Sequence, residues 1–113
     1  AITALTNAGA MDRARNLLDE MSRHGITANR ITFNVLLKGY CAQLQLDKAK
    51  TLIRSMAEDA GIEPDVFSYN ILIDGCILVD DSASALAFFN EMRERGIPPS
   101  QVSYTTLMKA FAL

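Results

Sequence analysis

Arg30–Cys41 reads RITFNVLLKGYC, Val66–Ile77 reads VFSYNILIDGCI, and Gln101–Ala112 reads QVSYTTLMKAFA. Set in register, all three carry apolar residues at the fourth, seventh, eighth and eleventh places. Those places hold Phe33/Tyr69/Tyr104, Leu36/Leu72/Leu107, Leu37/Ile73/Met108 and Tyr40/Cys76/Phe111. The spacing i, i+3, i+4, i+7 is that of a helix burying one stripe. A second stripe of the same spacing also recurs: Ala14, Leu17, Leu18, Met21; Ala49, Leu52, Ile53, Met56; Ala85, Phe88, Phe89, Met92.

Breakers separate the stripes. HGITAN, AGIEPD and RGIPPS each follow a second stripe. Gly25, Gly61 and Gly96 suit a left-handed residue just past a helix end. Pro64, Pro98 and Pro99 cannot continue a helix, and Asn29, Asp65 and Ser100 are good N-caps for the next one. Met21, Met56 and Met92 lie 35 and 36 residues apart, whereas Gly25, Gly61 and Gly96 lie 36 and 35 apart. One extra residue therefore falls between Ala57 and Ala60, near a helix end, where a loop absorbs it cheaply.

Each unit predicts two antiparallel helices. First helices are expected over 31–43, 66–78 and 101–112, and second helices over 11–23, 46–58 and 82–95. Residues 1–8 read as the tail of an earlier first helix. The units fall at 1–29 (partial), 30–65 and 66–100 (complete) and 101–113 (first helix only). Gly39, Gly75 and Ala110 sit inside first helices. A glycine there costs about 1 kcal/mol relative to alanine, so close helix approach is expected to compensate. A lone hairpin cannot bury both stripes. The expected fold is all-α: an α-solenoid of stacked antiparallel helix-turn-helix hairpins.

Composition agrees. Of 113 residues, 50% are hydrophobic and 21% charged, enough for a core and unlike a disordered chain. The net charge of −2 lacks the basic footprint of a general nucleic-acid binder. No run approaches the roughly 18 apolar residues of a membrane span. Cys41 and Cys76 fall inside helices and are expected as buried free thiols. His24 is the lone histidine and there is no CxxC, so no metal or other cofactor is expected. Asp80 and Asp81 are expected to open a helix, where carboxylates favour the dipole. Tyr40, Phe88 and Phe89 read as core. Nucleophile–base pairs, a P-loop and dinucleotide motifs are not found, which points away from an enzyme. The chain starts and stops inside periodic segments, so it is expected to be a piece of a longer array.

One face is not explained by a core. Ile31 with Asn34, Phe67 with Asn70 and Val102 with Thr105 sit off the buried stripe, each an apolar residue three before an amide or hydroxyl. Polar helix residues are ordinarily solvated, but recurrence in register beside an exposed apolar residue suggests a reading surface.

The segments ITFNVLLKGYC, LDKAKTLIRSM and GIEPD, then FSYNILIDG, ALAFFNEM and RGIPPS, resemble the pentatricopeptide repeat family over essentially the whole chain. A tetratricopeptide array fits less well, because it wants an early Trp and this chain has none. The unit lengths are similar to those of the family's P class. The resemblance implies an α-solenoid wound as a right-handed superhelix, and sequence-specific binding of single-stranded RNA in a chloroplast, or alternatively a mitochondrion, one base per unit. It implies that the fifth and last residues of a unit select a base, which second residues of adjacent units sandwich. The base-selecting residues are then Asn34 with Asp65, Asn70 with Ser100, Thr105 in the last unit, and Asn29, whose partner precedes Ala1. By the family's pattern these favour uracil, then cytosine, then a purine. Ile31, Phe67 and Val102 would stack on the bases. An Asn amide offers a donor and an acceptor to a pyrimidine edge and needs a second group to choose between U and C.

Lys38 and Lys109 are candidate phosphate contacts, with Asp74 at the matching middle place. Many family members carry a lysine at the thirteenth place, where this chain has Asn7, Ala42 and Leu78. Phosphate contacts dominate affinity, so this chain alone is expected to bind RNA weakly. The uncovered stripe of helix 101–112 is expected to promote self-association. Supporting transcript processing, end protection or splicing is the role the resemblance implies. The alternative is a protein-interaction scaffold holding a peptide in the same groove, as tetratricopeptide arrays do.

Overall fold

The computed structural model describes residues 8–111. Its helices are α1 (Ala8–Arg23), α2 (Arg30–Ala42), α3 (Leu46–Glu58), α4 (Val66–Leu78), α5 (Ser82–Glu94) and α6 (Gln101–Lys109). Of the tail expected over residues 1–8, all but Ala8 lies outside the described residues, and Ala8 instead opens α1; α6 ends at Lys109 instead of residue 112.

The first helices start as their sequences require. Asn29, Asp65 and Ser100 are extended N-caps whose side chains accept the N–H of Thr32, Ser68 and Ser103. Those third-place hydroxyls accept the caps' own N–H groups at 3.5, 3.2 and 3.1 Å. Each capping box thus satisfies two donors that a bare helix start leaves open, an N-cap being worth about 1 kcal/mol.

The second helices end on glycine. Gly25, Gly61 and Gly96 have φ of 75, 65 and 78°. After α1 and α5 the backbone closes a Schellman turn, with Ile26 N–H donating to Met21 O and Ile97 N–H to Met92 O. After α3 the same bond runs from Ile62 N–H to Met56 O, one residue wider. The extra residue is taken up inside this turn and does not disturb either flanking helix. First helices end in the same way without glycine: Leu44 and Asp80 are left-handed, both at φ 58°. Asp80 therefore does not open a helix as expected. It closes the turn after α4, and Asp81 is the N-cap of α5, accepting from Ser84 N–H.

α2 and α4 pack antiparallel on their own second helices, α3 and α5, and α2, α4 and α6 also pack in a row. α3 and α5 make no close backbone approach to each other. A touching inner layer and a splayed outer layer curve the stack, so the first helices line its concave side. The smallest dimension, 20 Å, is two helix layers of about 10 Å each. The row is tight at Gly75, where an added Cβ would lie 2.9 Å from Cys41 Cβ and closer still to its Sγ. Gly39 is buried in the same layer.

The core holds Leu36, Leu37, Leu52, Met56, Tyr69, Leu72, Ile73, Phe89 and Met92. Tyr69 is buried and its hydroxyl donates to Glu91 Oε2 at 2.7 Å, tying α4 to α5. Both cysteines are free and buried. Burial first, then neighbouring negative charge, pushes Cys41 up to about 12 and Cys76 to about 11, so both are neutral thiols at ordinary pH. Of the second-helix stripes, that of α1 is the least covered, with Ala14, Leu18 and Met21 half-buried. Leu17 is 57% exposed, because among the described residues α1 packs only on α2. Phe88 is half-buried, because it faces the gap between α3 and α5 with Lys50, Arg54 and Arg95.

Candidate nucleic-acid interface

The concave row of first helices presents its N-terminal turns together. Ile31, Phe67 and Val102 are 72, 67 and 59% exposed, large apolar residues that burial in the core does not explain. Asn34 and Asn70 are half-buried one turn further along, and Thr105 is exposed. Asp65 and Ser100, the caps of α4 and α6, are half-buried beside them.

Between α2 and α4 these residues line one open cleft of about 450 Å³. Its walls are Arg30, Ile31, Asn34, Val35 and Lys38 from α2 and Asp65, Phe67 and Ile71 from α4. The cleft therefore unites five residues singled out from sequence: Ile31 and Phe67 on opposite walls, Asn34 and Asp65, and Lys38 at its edge. Lys109 is exposed near the end of α6, and Asp74 is exposed at the matching place of α4. Asn29 caps α2 and is exposed. At the thirteenth place, Ala42 and Leu78 are exposed, while Asn7 lies outside the described residues.

Hydrogen bonds order the polar floor. Asn34 Nδ2 is 3.5 Å from Asp65 Oδ1, a long contact. Asn34 Oδ1 accepts from the Ser68 hydroxyl at 2.6 Å. The next unit repeats this link: Asn70 Oδ1 accepts from the Ser103 hydroxyl at 2.5 Å. Ser100 reaches Asn70 only through Ser103, the two hydroxyls being 3.3 Å apart. The edge expected to offer a donor and an acceptor alike is thus narrowed. The amide oxygen of each Asn is engaged inward.

At Asp65, partial burial alone would raise the carboxyl. The Ser68 N–H, the Asn34 amide and the Arg30 guanidinium outweigh it and hold the group below its usual range, hence ionised at neutral pH. Arg30 Nε also donates to Glu63 O at 2.8 Å and lies 4.0 Å from Asp65 Oδ2. The cleft therefore pairs a fixed acceptor at Asp65 with the amide of Asn34.

Sequence reasoning missed Ser68 and Ser103, both completely buried, as well as Arg30, Val35 and Ile71 in the cleft wall. A signal for the serines was present: every first helix has a hydroxyl at its third place, Thr32, Ser68 or Ser103.

The model of the PPR repeat family matches residues 1–42, 28–77 and 79–112. The chain belongs to the pentatricopeptide repeat (PPR) family. A chloroplastic pentatricopeptide repeat-containing protein of Arabidopsis thaliana is 72% identical over 112 residues, covering 99% of this chain and 14% of that protein. A mitochondrial relative from the same plant is 29% identical over 94 residues, covering 83% of this chain and 15% of its own length. This chain is thus a small part of the length of the PPR relatives it matches. Among solved structures, the PPR protein PPR10 in complex with an 18-nt psaJ RNA element superposes with a TM-score of 0.84. The two are 25% identical, over 97% of this chain and 16% of PPR10. A structure of PPR10 from maize gives the same TM-score, 0.84. Among the described residues, no helix is long and apolar enough to cross a membrane, and no group of His, Cys, Asp and Glu could hold a metal ion.

Proposed function

We propose that this PPR segment binds single-stranded RNA with one base per repeat. Repeat 30–65 takes uracil through Asn34 and Asp65, repeat 66–100 takes cytosine through Asn70 and Ser100, and Thr105 favours a purine in the next. The RNA runs parallel to the chain, 5′ to 3′. The observation that carries this reading is the cleft between α2 and α4, where two exposed apolar side chains flank an amide and an ionised carboxylate. That arrangement suits a flat ring with polar edges: Ile31 and Phe67 meet its faces and Asn34 and Asp65 its edge. Stacking on aromatic side chains is worth roughly 1–3 kcal/mol per base. The likeness to PPR10, a protein solved with an 18-nt RNA, supports the same ligand class.

Lys38, at the rim of the cleft, and Lys109 contact phosphate. In the longer protein the array acts as an adaptor without catalysis, supporting transcript processing, end protection or splicing by occupying RNA. It does so in the chloroplast, as the 72% identical relative is named, with the mitochondrion the alternative.

The test is Asn70→Thr, which copies the fifth-place residue of the following repeat. Competition among oligonucleotides varied at one base should show preference moving from cytosine to a purine at the second place only. Unchanged RNA selection with loss of a bound peptide would instead establish the scaffold reading.

A further inference from the structure

We propose that Ser68 and Ser103 are positioning residues for base selection, each acting on the repeat before its own. This deepens the reading above and rests on it.

The argument is a count of protons and lone pairs. A serine hydroxyl has one proton to give. Ser68 Oγ accepts Asp65 N–H at 3.2 Å, which leaves its proton for an acceptor. Two acceptors are within reach, Asn34 Oδ1 at 2.6 Å and Asp65 Oδ1 at 2.9 Å. Asp65 Oδ1 already receives Ser68 N–H at 3.0 Å, and the amide oxygen is nearer. Ser103 repeats the pattern, accepting Ser100 N–H at 3.1 Å and giving its proton to Asn70 Oδ1 at 2.5 Å. Both serines are completely buried, so no water competes for that proton.

An Asn side chain held by its oxygen turns its NH₂ outward. Asn34 and Asn70 then meet a base as donors, and a pyrimidine must answer with O2, with O4 of uracil or with N3 of cytosine. An unheld amide can flip and present its oxygen to N3–H of uracil or to the amino group of cytosine. The serine therefore converts an ambidentate amide into a single-valued one. At Asn34 the Asp65 carboxylate adds a second constraint, because a flipped amide would set oxygen against oxygen. At Asn70 the neutral Ser100 supplies none, and Asn70 Nδ2 has no hydrogen-bond partner among the described residues. Ser103 is thus the more important of the two. The unit of recognition then spans two repeats: fifth and last residues of one and the third residue of the next.

The experiment measures U-against-C discrimination at each base place for the full chain, Ser103→Ala, Ser68→Ala and the hydroxyl-restoring Ser103→Thr. Loss of one hydrogen bond predicts a fall of roughly three- to tenfold in discrimination. In Ser103→Ala it falls at the base read by Asn70, with a smaller fall for Ser68→Ala at the base read by Asn34. Ser103→Thr recovers the original ratio. A purely structural cap would weaken all oligonucleotides alike, and that uniform loss, or unchanged discrimination, overturns the proposal. Should Ser68→Ala fail to fold, Ser103→Ala still decides, because α6 lies at the end of the row. A parent chain with no base preference overturns the RNA reading itself, whereas a selective parent with selective alanine variants overturns only the role of the serines.

Discussion

At Asp65 one carboxylate caps α4, faces Asn34 and lies 4.0 Å from Arg30. Its hydrogen bonds overcome partial burial and lower its pKa from 3.8. A lowered folded value means the unfolded chain binds the proton first as pH falls. The stabilisation is present above 3.8 and is lost as the pH drops through the lower folded value. Asp65→Asn keeps an amide cap, as Asn29 shows in α2, but removes the titrating group. The drop in urea midpoint between about pH 5 and about pH 3 should be smaller in that variant than in the parent. Some dependence remains, since the Asp81 carboxyl is also lowered, mainly by the Ser84 hydroxyl and N–H. Equal drops in variant and parent would refute the assignment.

Among the helices, α2 and α4 meet where Gly75 faces Cys41. Alanine is the better helix former by about 1 kcal/mol. Its Cβ has no space here, and forcing a methyl into a packed contact costs about 1–3 kcal/mol. The contact is between a Cβ and both the Cβ and Sγ of Cys41, so it cannot be relieved by rotating one flexible tip. Gly75→Ala is therefore expected to destabilise, by about 1 kcal/mol net. Adding Cys41→Ala removes the sulfur and should recover part of the loss. A double-mutant cycle in urea measures the coupling, and additive effects would show that the close approach has no energetic weight.

Across the whole molecule, the inner row continues apolar to its end. Tyr104, Met108 and Phe111 are 47, 64 and 61% exposed, with the Tyr104 ring edge-on to Phe89 at 5.2 Å between centroids. In a solenoid each unit covers the stripe of the one before it. This surface is the counterpart of the one that α5 covers on α4. We propose that the 113-residue chain associates through it. Light scattering should show mass rising with concentration and Met108→Lys returning the chain to monomer, whereas a monomer at every concentration would remove the idea.

The local structure was legible in the residues themselves. Apolar spacing placed both helices of each unit, Asn29, Asp65 and Ser100 capped the first helices, and Gly25, Gly61 and Gly96 ended the second, because helical period, cap chemistry and left-handed φ are properties of a few consecutive residues. The face bearing Ile31, Phe67 and Val102 was legible for the same reason: it is off the stripe and recurs. The tertiary structure decided what lies between units. Leu17 matches the stripe yet is exposed, since burial depends on which helix arrives opposite. Nothing in the residues around Ser68 shows that it holds Asn34 from 34 residues away. That link, like the cleft between α2 and α4, depends on the spacing of two helices in the row, which the close fit of Gly75 to Cys41 sets. A periodic pattern specifies which side of a helix is apolar but not how near the next helix comes, and that distance is what turns separate side chains into a site.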